Sequence, residues 1–353
     1  MVLSIISSQT MEKRSWNISD PITHITENLC EVNTMETPLV EILDTNLQMM
    51  ANTSFLYIIQ VGMKYDIFKA LSEKNTEKAL QRVKVQNKML LNRFIEVLND
   101  LGIIHKSAEG HRLNKFLYEV KIFKRDYELI LSDWIRFLEK IYEMVDYAFL
   151  THDHPYVSMD FDKDADFWDM RMRSQFASMY RKIIVDFGEI LPGTSVIDIG
   201  CGSASPVEFA KQVGPNGYYL GIDYSSALLE VAKSRIEEQG YDWASLKEID
   251  AHIIKPHCRY DVAIMSFVLE YLKNRQRVIK RTIESLKGGG RLIIIDPFKD
   301  SFENVAALEF FESLNKDFVG YPTKAEISTM LEEEGFDVNI ESPGRGILLI
   351  KKL

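Results

Sequence analysis

The chain has 353 residues, room for about two domains. Hydrophobic residues supply 46% and charged residues 27%, which excludes a disordered chain, a collagen-like repeat and a disulfide-stapled miniprotein. A formal net charge of -10 argues against nucleic acid as the main partner. Cys30, Cys201 and Cys258 lie far apart, with no zinc or redox spacing, as in a reducing cytoplasm. No apolar run approaches the roughly 20 residues of a membrane span. The segment Met1 to Gln9 has neither the basic start nor the small-residue cleavage site of a secretory signal.

Residues 1–44 mix Ser, Thr, Asn and Glu with few periodic apolar positions, and read as a tail or docking arm with little core of its own. From Leu47 the pattern turns helical, through Phe55, Ile58, Val61, Ile67 and Leu71. A second helix fits Thr76 to Val83 and a third fits Lys88 to Leu101, stopped by Gly102. Two short runs, Ile103–His105 and His111–Leu113, then predict a hairpin. Three helices closed by a hairpin suit a winged-helix unit over residues 45–125.

Residues 126–190 form a helical stretch dense in aromatics. One or two helices fit Tyr127 to Leu150, an acidic loop Thr151 to Asp166, and a further helix Phe167 to Ile190. Residues 191–353 alternate strands and helices. The strands are Ser195–Ile199, Gly217–Ile222, Leu246–Ile249, Asp261–Ser266, Arg291–Ile295, Phe336–Ile340 and Gly346–Ile350. The helices are Pro206–Val213, Ser225–Gln239, Asn274–Leu286 and Lys324–Glu334. Such alternation predicts an α/β domain with a parallel, Rossmann-like sheet. The last two strands are joined by Ser342-Pro343-Gly344-Arg345, too short for a parallel crossover, so they must be antiparallel.

The most informative segment runs from Val196 through Asp198, Gly200, Gly202 and Ser203 to Pro206. A strand enters a glycine turn and a helix opens soon after, with Pro near its first turn. Gly200-x-Gly202-x-x-Ser205 lacks the third glycine of the pyrophosphate fingerprint, and Asp198 would repel a pyrophosphate. An acid there suits a cationic cofactor, which favours S-adenosylmethionine over a nicotinamide. Asp223, followed by Tyr224, falls at the second strand tip, where an acid can accept from ribose hydroxyls. Asp250, before Ala251, can accept from an adenine amine at the third. Ser266 and Phe267 end the fourth strand, under the expected methyl position.

With these marks in order, residues 195–353 resemble the class I S-adenosylmethionine-dependent methyltransferase domain, with D-x-G-x-G-x-[GA] as Asp198, Gly200, Gly202 and Ala204. The segment Leu286 to Ile293 resembles that family's fifth-strand entry. Together with the front end, the chain is similar to O-methyltransferases with an N-terminal winged-helix dimerisation domain. Phe176-Ala177-Ser178-Met179 resembles a short signature of that group, which makes Met179 a cofactor candidate. The resemblance implies a homodimer with interlocked front domains and the strand order 3-2-1-4-5-7-6, last strand antiparallel.

Many relatives of this type carry His-Asp-Trp after the fourth strand, the His serving as general base. Here Glu270-Tyr271-Leu272 stands in its place, so no histidine carries over. Val268 to Leu272 also resembles the corresponding stretch of quinone C-methyltransferases. Glu270 is the leading base candidate, with His152 or His154 of the acidic loop in reserve; no metal set is formed by them. Trp134, Phe137, Tyr142, Trp168, Met172, Phe176 and Tyr271 are candidates to line an apolar acceptor pocket.

The expected function is methyl transfer to oxygen or carbon of a small aromatic or apolar acceptor. Two alternatives compete. One is a regulator that binds nucleic acid and senses the cofactor, suggested by about twice as many Lys and Arg as Asp and Glu between Ser72 and Arg125. Against it, Leu90, Leu91, Phe94, Ile95, Val97 and Leu98 make the third helix apolar on more than one side, better suited to a dimer interface. The other is a nucleobase methyltransferase, which lacks its Asn/Asp-Pro-Pro-aromatic element after the fourth strand; Asp296-Pro297-Phe298 follows the fifth instead.

Overall fold

Apolar runs too short to stand alone pair into one sheet, and helices with a single apolar stripe cover it. A computed structural model describes residues 36–73, 75–107, 110–113, 131–150 and 160–353. The front comprises α1 (Glu36–Lys64), α2 (Ile67–Leu71), α3 (Thr76–Gln81) and α4 (Lys88–Asp100), then an antiparallel hairpin of β1 (Ile104–Ser107) and β2 (Gly110–Leu113). Three helices follow: α5 (Leu131–Leu150), α6 (Ala165–Met172) and α7 (Gln175–Gly188). The sheet region alternates β3 (Ser195–Ile199), α8 (Ser205–Val213), β4 (Tyr218–Asp223), α9 (Ser226–Gln239), β5 (Ala244–Glu248), β6 (Tyr260–Ser266), α10 (Arg275–Ser285) and β7 (Leu286–Ile295). It closes with α11 (Val305–Glu312), α12 (Lys324–Glu333), β8 (Val338–Gly344) and β9 (Ile347–Lys352).

The sheet order is β5-β4-β3-β6-β7-β9-β8. Strands β3 to β7 pair in parallel, and β9 runs antiparallel to both of its neighbours. The central strands carry buried apolar residues on both faces, such as Val196, Ile197, Val262 to Met265 and Leu292 to Ile295. Between β3 and β6 the winding direction reverses, which opens a crevice at the carboxyl ends of these strands. Side chains of Asn75, Asn87, Ser174, Ser225, Asn274 and Thr323 each accept a backbone N–H three residues on, fixing six helix starts.

Four differences from expectation have local causes. The helix expected over Phe167–Ile190 is two, because Ser174 accepts the Ala177 N–H and restarts the chain as α7. Core-forming structure also begins before residue 45: α1 starts at Glu36, and Val40, Leu43, Leu47 and Met50 form a buried stripe on it. The Asp44 carboxylate accepts backbone N–H groups of Arg345 (2.7 Å) and Gly346 (2.8 Å), tying that helix to the β8–β9 turn. The surplus apolar residues of α4 are buried within the chain, packed in one cluster with Phe149, Phe310 and Phe311. They therefore give no argument for a dimer face. Helix α11, with no counterpart among the expected helices, supplies much of that cover.

Residues from the front helices share core clusters with the sheet and its flanking helices, and 35–353 form one unit. No helix among the described residues is long and apolar enough to cross a membrane. Leu47 is fully buried, so Leu47→Ala should destabilise the protein by about 2–5 kcal/mol. Chemical denaturation of the purified chain measures it, and a change near zero would show that α1 is not part of the core.

Candidate functional site

At the end of β3 the chain turns back through Gly200 and Gly202, both in the left-handed region (φ 70° and 56°) that side chains disfavour. A Cβ on Gly200 would sit 2.4 Å from Val268 Cγ2, and one on Gly202 would sit 2.5 Å from Met172 Sδ. The turn is fastened from β4: Gly202 N–H donates to Asp223 Oδ2 (2.8 Å), while Ser225 N–H donates to Asp223 Oδ1 (2.9 Å). Burial raises the Asp223 carboxyl above its ordinary range, against the lowering effect of these N–H groups. The Tyr224 N–H also acts on this carboxylate, which has four lone pairs in all and so keeps acceptor capacity for a ligand hydroxyl.

Beside this turn lies a cavity of about 510 Å³, within the size range of small-molecule sites. Gly200, Asp223 and Tyr224 form one side, Asp250, Ala251 and His252 the next, and Phe267, Val268 and Tyr271 the far end. Phe161, Met172 and Asp317 close it from above. Asp250 Oδ1 accepts His252 N–H (2.8 Å), which holds that carboxyl below its usual range. Two polar contacts tie the cover to the sheet end, Tyr224 hydroxyl to Asp317 (3.1 Å) and Ser225 hydroxyl to Asp162 (2.8 Å), and Lys316 to Asp160 (2.5 Å) joins the two covering segments.

A smaller chamber of about 70 Å³ shares Phe161, Met172, Gly200, Phe267 and Tyr271 with the first. Its own walls include Trp168, Arg171, Tyr180, Ser266 and Glu270. Phe267 holds a left-handed backbone (φ 51°), a strain of about 1–3 kcal/mol for a non-glycine residue, and packs near Tyr180 (ring centroids 5.0 Å). Glu270 is buried, and its Oε2 meets no donor among the described residues. Burial raises its carboxyl well above the ordinary range, and the nearby Glu312 charge adds to that. Arg171 and Glu312 form a buried two-pronged ion pair (2.7 and 3.3 Å) beside it.

The two cavities thus bring together Gly200, Asp223, Tyr224, Asp250, Ala251, Ser266, Phe267, Trp168, Met172, Tyr271 and Glu270. Asp198 is corrected: it lines neither cavity, is fully buried, and accepts the Tyr219 hydroxyl (2.8 Å). Burial pushes its carboxyl up to about 7, so it acts on the turn from beneath rather than facing a cationic ligand. Gly202 shapes the turn behind the cavity lining. Ser203 lines neither cavity; its hydroxyl donates to Asp169 (2.6 Å), which Arg235 also holds. Met179 and Phe176 are core residues, and Tyr142 stacks on Tyr57 (4.4 Å) away from both cavities. Trp134 and Phe137 belong to α5, in a stretch whose side chains lie outside the described residues, as do His152 and His154 themselves.

Phe161, Arg171, Tyr180, His252 and Asp317 were missed. Arg171 carried no signal of its own in the sequence, because its partner Glu312 sits on the helix that the sequence did not reveal. Tyr180 follows directly on the Phe176–Met179 signature and was the one locatable from it.

An uncharacterized protein of Methanocaldococcus jannaschii is 31% identical over 319 residues, covering 89% of this chain and 87% of its own. The chain belongs to the same family. Residues 190–335 match the family described as a methyltransferase domain. A ubiquinone/menaquinone biosynthesis C-methyltransferase of Haemophilus ducreyi is 24% identical over 199 residues, spanning 49% of this chain and 76% of its own. The CurJ carbon methyltransferase shares the fold over 90% of this chain and 96% of its own, with a TM-score of 0.63 at 17% identity. The protein is an S-adenosylmethionine-dependent methyltransferase with a class I domain.

The site fits that cofactor. The glycine cradle admits a ligand against backbone, Asp223 offers lone pairs at the β4 tip, and Asp250 offers an acceptor beyond β5. Asp223→Ala should therefore remove measurable S-adenosylmethionine binding in isothermal titration calorimetry. Affinity equal to wild type would overturn the ribose-side role of that carboxylate.

Proposed function

We propose that this methyltransferase acts on a small acceptor with a weakly acidic O–H or C–H, and that Glu270 takes the proton. The observation that carries this is the Glu270 carboxylate in the wall of the small chamber, with Oε2 unclaimed by any donor among the described residues. A chamber of about 70 Å³ has room for a small reacting group, not a whole large molecule. The aromatic walls Phe161, Trp168, Tyr180, Phe267 and Tyr271 suit a planar group. Relatives named as C-methyltransferases support carbon as the receiving atom.

When bound, S-adenosylmethionine supplies an activated methyl group on a positively charged sulfur. The chain's task is then position, dryness and proton removal. Asp223 would hold the ribose and Asp250 with Ala251 the adenine, leaving the reacting end near Phe267 and Gly200. Orientation of the reacting atoms can contribute up to roughly 7–11 kcal/mol. The aromatic walls exclude water and present ring faces to a cation. A homodimer through the front helices and hairpin, a winged-helix-like arrangement, is part of the same reading.

Glu270→Gln should lower turnover by about 10²–10⁴-fold while leaving cofactor affinity close to wild type. Labelled methyl transfer onto a panel of hydroquinones, phenols and enolisable ketones, with calorimetry in parallel, checks both. Because burial raises the Glu270 carboxyl, kcat/KM should climb with pH along a limb above the ordinary carboxylate range. Unchanged turnover in the Gln variant would remove Glu270 as the base.

A further inference from the structure

We infer that Asp296 keeps its proton in the folded enzyme and donates it to the Glu270 carboxylate, so that the two acids share one negative charge behind the small chamber. The inference deepens the reading of Glu270 as proton acceptor and rests on it for its catalytic meaning.

Asp296 directly follows β7, and Glu270 sits in the short turn after β6, so neighbouring strand ends bring two acids together. Their side chains lie within hydrogen-bonding reach of one another. Both are buried, Asp296 completely. Neither Asp296 oxygen, nor Glu270 Oε2, meets an N–H or O–H from elsewhere among the described residues. Two carboxylates offer only lone pairs and repel, so this contact is bonding only if one of them carries hydrogen.

The surrounding charges do not replace that proton. Arg171 faces Glu270 but is held by Glu312 through both terminal nitrogens. Arg275 faces Asp296 but donates to the carbonyls of Leu269 (2.8 Å) and Gly320, and to Glu326 (3.2 Å). The remaining titratable neighbours are Glu312, Tyr271 and Tyr321 around Glu270, and Glu326 near Asp296. Another acid or a tyrosine hydroxyl supplies no compensating positive charge.

Position decides which acid holds the proton. Glu270 lines the chamber, whereas Asp296 lines neither cavity. Burial first, then the Glu270 charge, drives the Asp296 carboxyl far above its ordinary range. The hydrogen bond from Asp296 in turn lowers Glu270. Asp296 is thus a positioning residue: its proton engages one Glu270 oxygen and leaves the other to receive the acceptor's proton. Its own proton is not consumed.

Infrared difference spectroscopy of the full chain tests this without any methyl acceptor. At about pH 9, where free carboxyls and Asp198 have ionised, wild type should retain a protonated-carboxyl band that Asp296→Asn removes. The band should survive in Glu270→Gln, which keeps the test decisive if the Asn variant fails to fold. A band absent from wild type, surviving in Asp296→Asn, or lost in Glu270→Gln would overturn the inference. In turnover, Asp296→Ala should move the acid limb of kcat/KM upward by about one pH unit or more, and Asp296→Asn, which can still donate, should bring it back. A limb that fails to move, or that Asn does not restore, would count Asp296 as merely structural. A negative band with turnover still dependent on Glu270 sinks this inference alone; no methyl transfer onto any acceptor with the band intact sinks the functional reading.

Discussion

The Asp223 carboxylate is the constraint on which the site depends. By accepting N–H groups from Gly202 and Ser225 it locks the turn after β3 to the start of α9. That turn leaves no room for side chains at Gly200 and Gly202, and Gly200 presents bare backbone to the cavity. Asp198 supports the same turn from below through Tyr219, a job for a buried acid. Two neighbouring strands thereby contribute acids with different tasks: Asp198 of β3 buried against Tyr219, and Asp223 of β4 lining the cavity.

The rest of the molecule closes this crevice. Helices α6 and α7 bring Met172, Arg171 and Tyr180 over it, and the segments around Asp160 and Asp317 are pinned by polar contacts to the sheet end and to each other. The result is a graded environment. The larger cavity is ringed by Asp223, Asp250 and Asp317, suited to a polar cofactor carrying positive charge. The smaller chamber is walled by rings and one buried acid, suited to chemistry away from water.

Much of the fold was legible because apolar periodicity is local. Ser195–Ile199 was read to its ends, and the strands and helices around it were placed within a few residues. The front was harder. The stripe of Val40, Leu43, Leu47 and Met50 is interrupted by polar neighbours, and its value appears only when the β8–β9 turn packs against it. Helix α11 escaped notice since its residues are apolar nearly all round and show little amphipathic rhythm.

What the sequence determined by itself was the alternation that makes a parallel sheet, the glycine turn, and the acids at successive strand tips. These are properties of short segments, set by backbone sterics and by side chains within a few residues of one another. Only the tertiary structure decided that Asp198 is buried beside Tyr219, that Ser203 and Met179 line neither cavity, and that Glu270 meets Asp296 and Arg171 meets Glu312. Burial and proton sharing arise from groups far apart in the chain, and no local pattern records which distant side chain will exclude water from an acid.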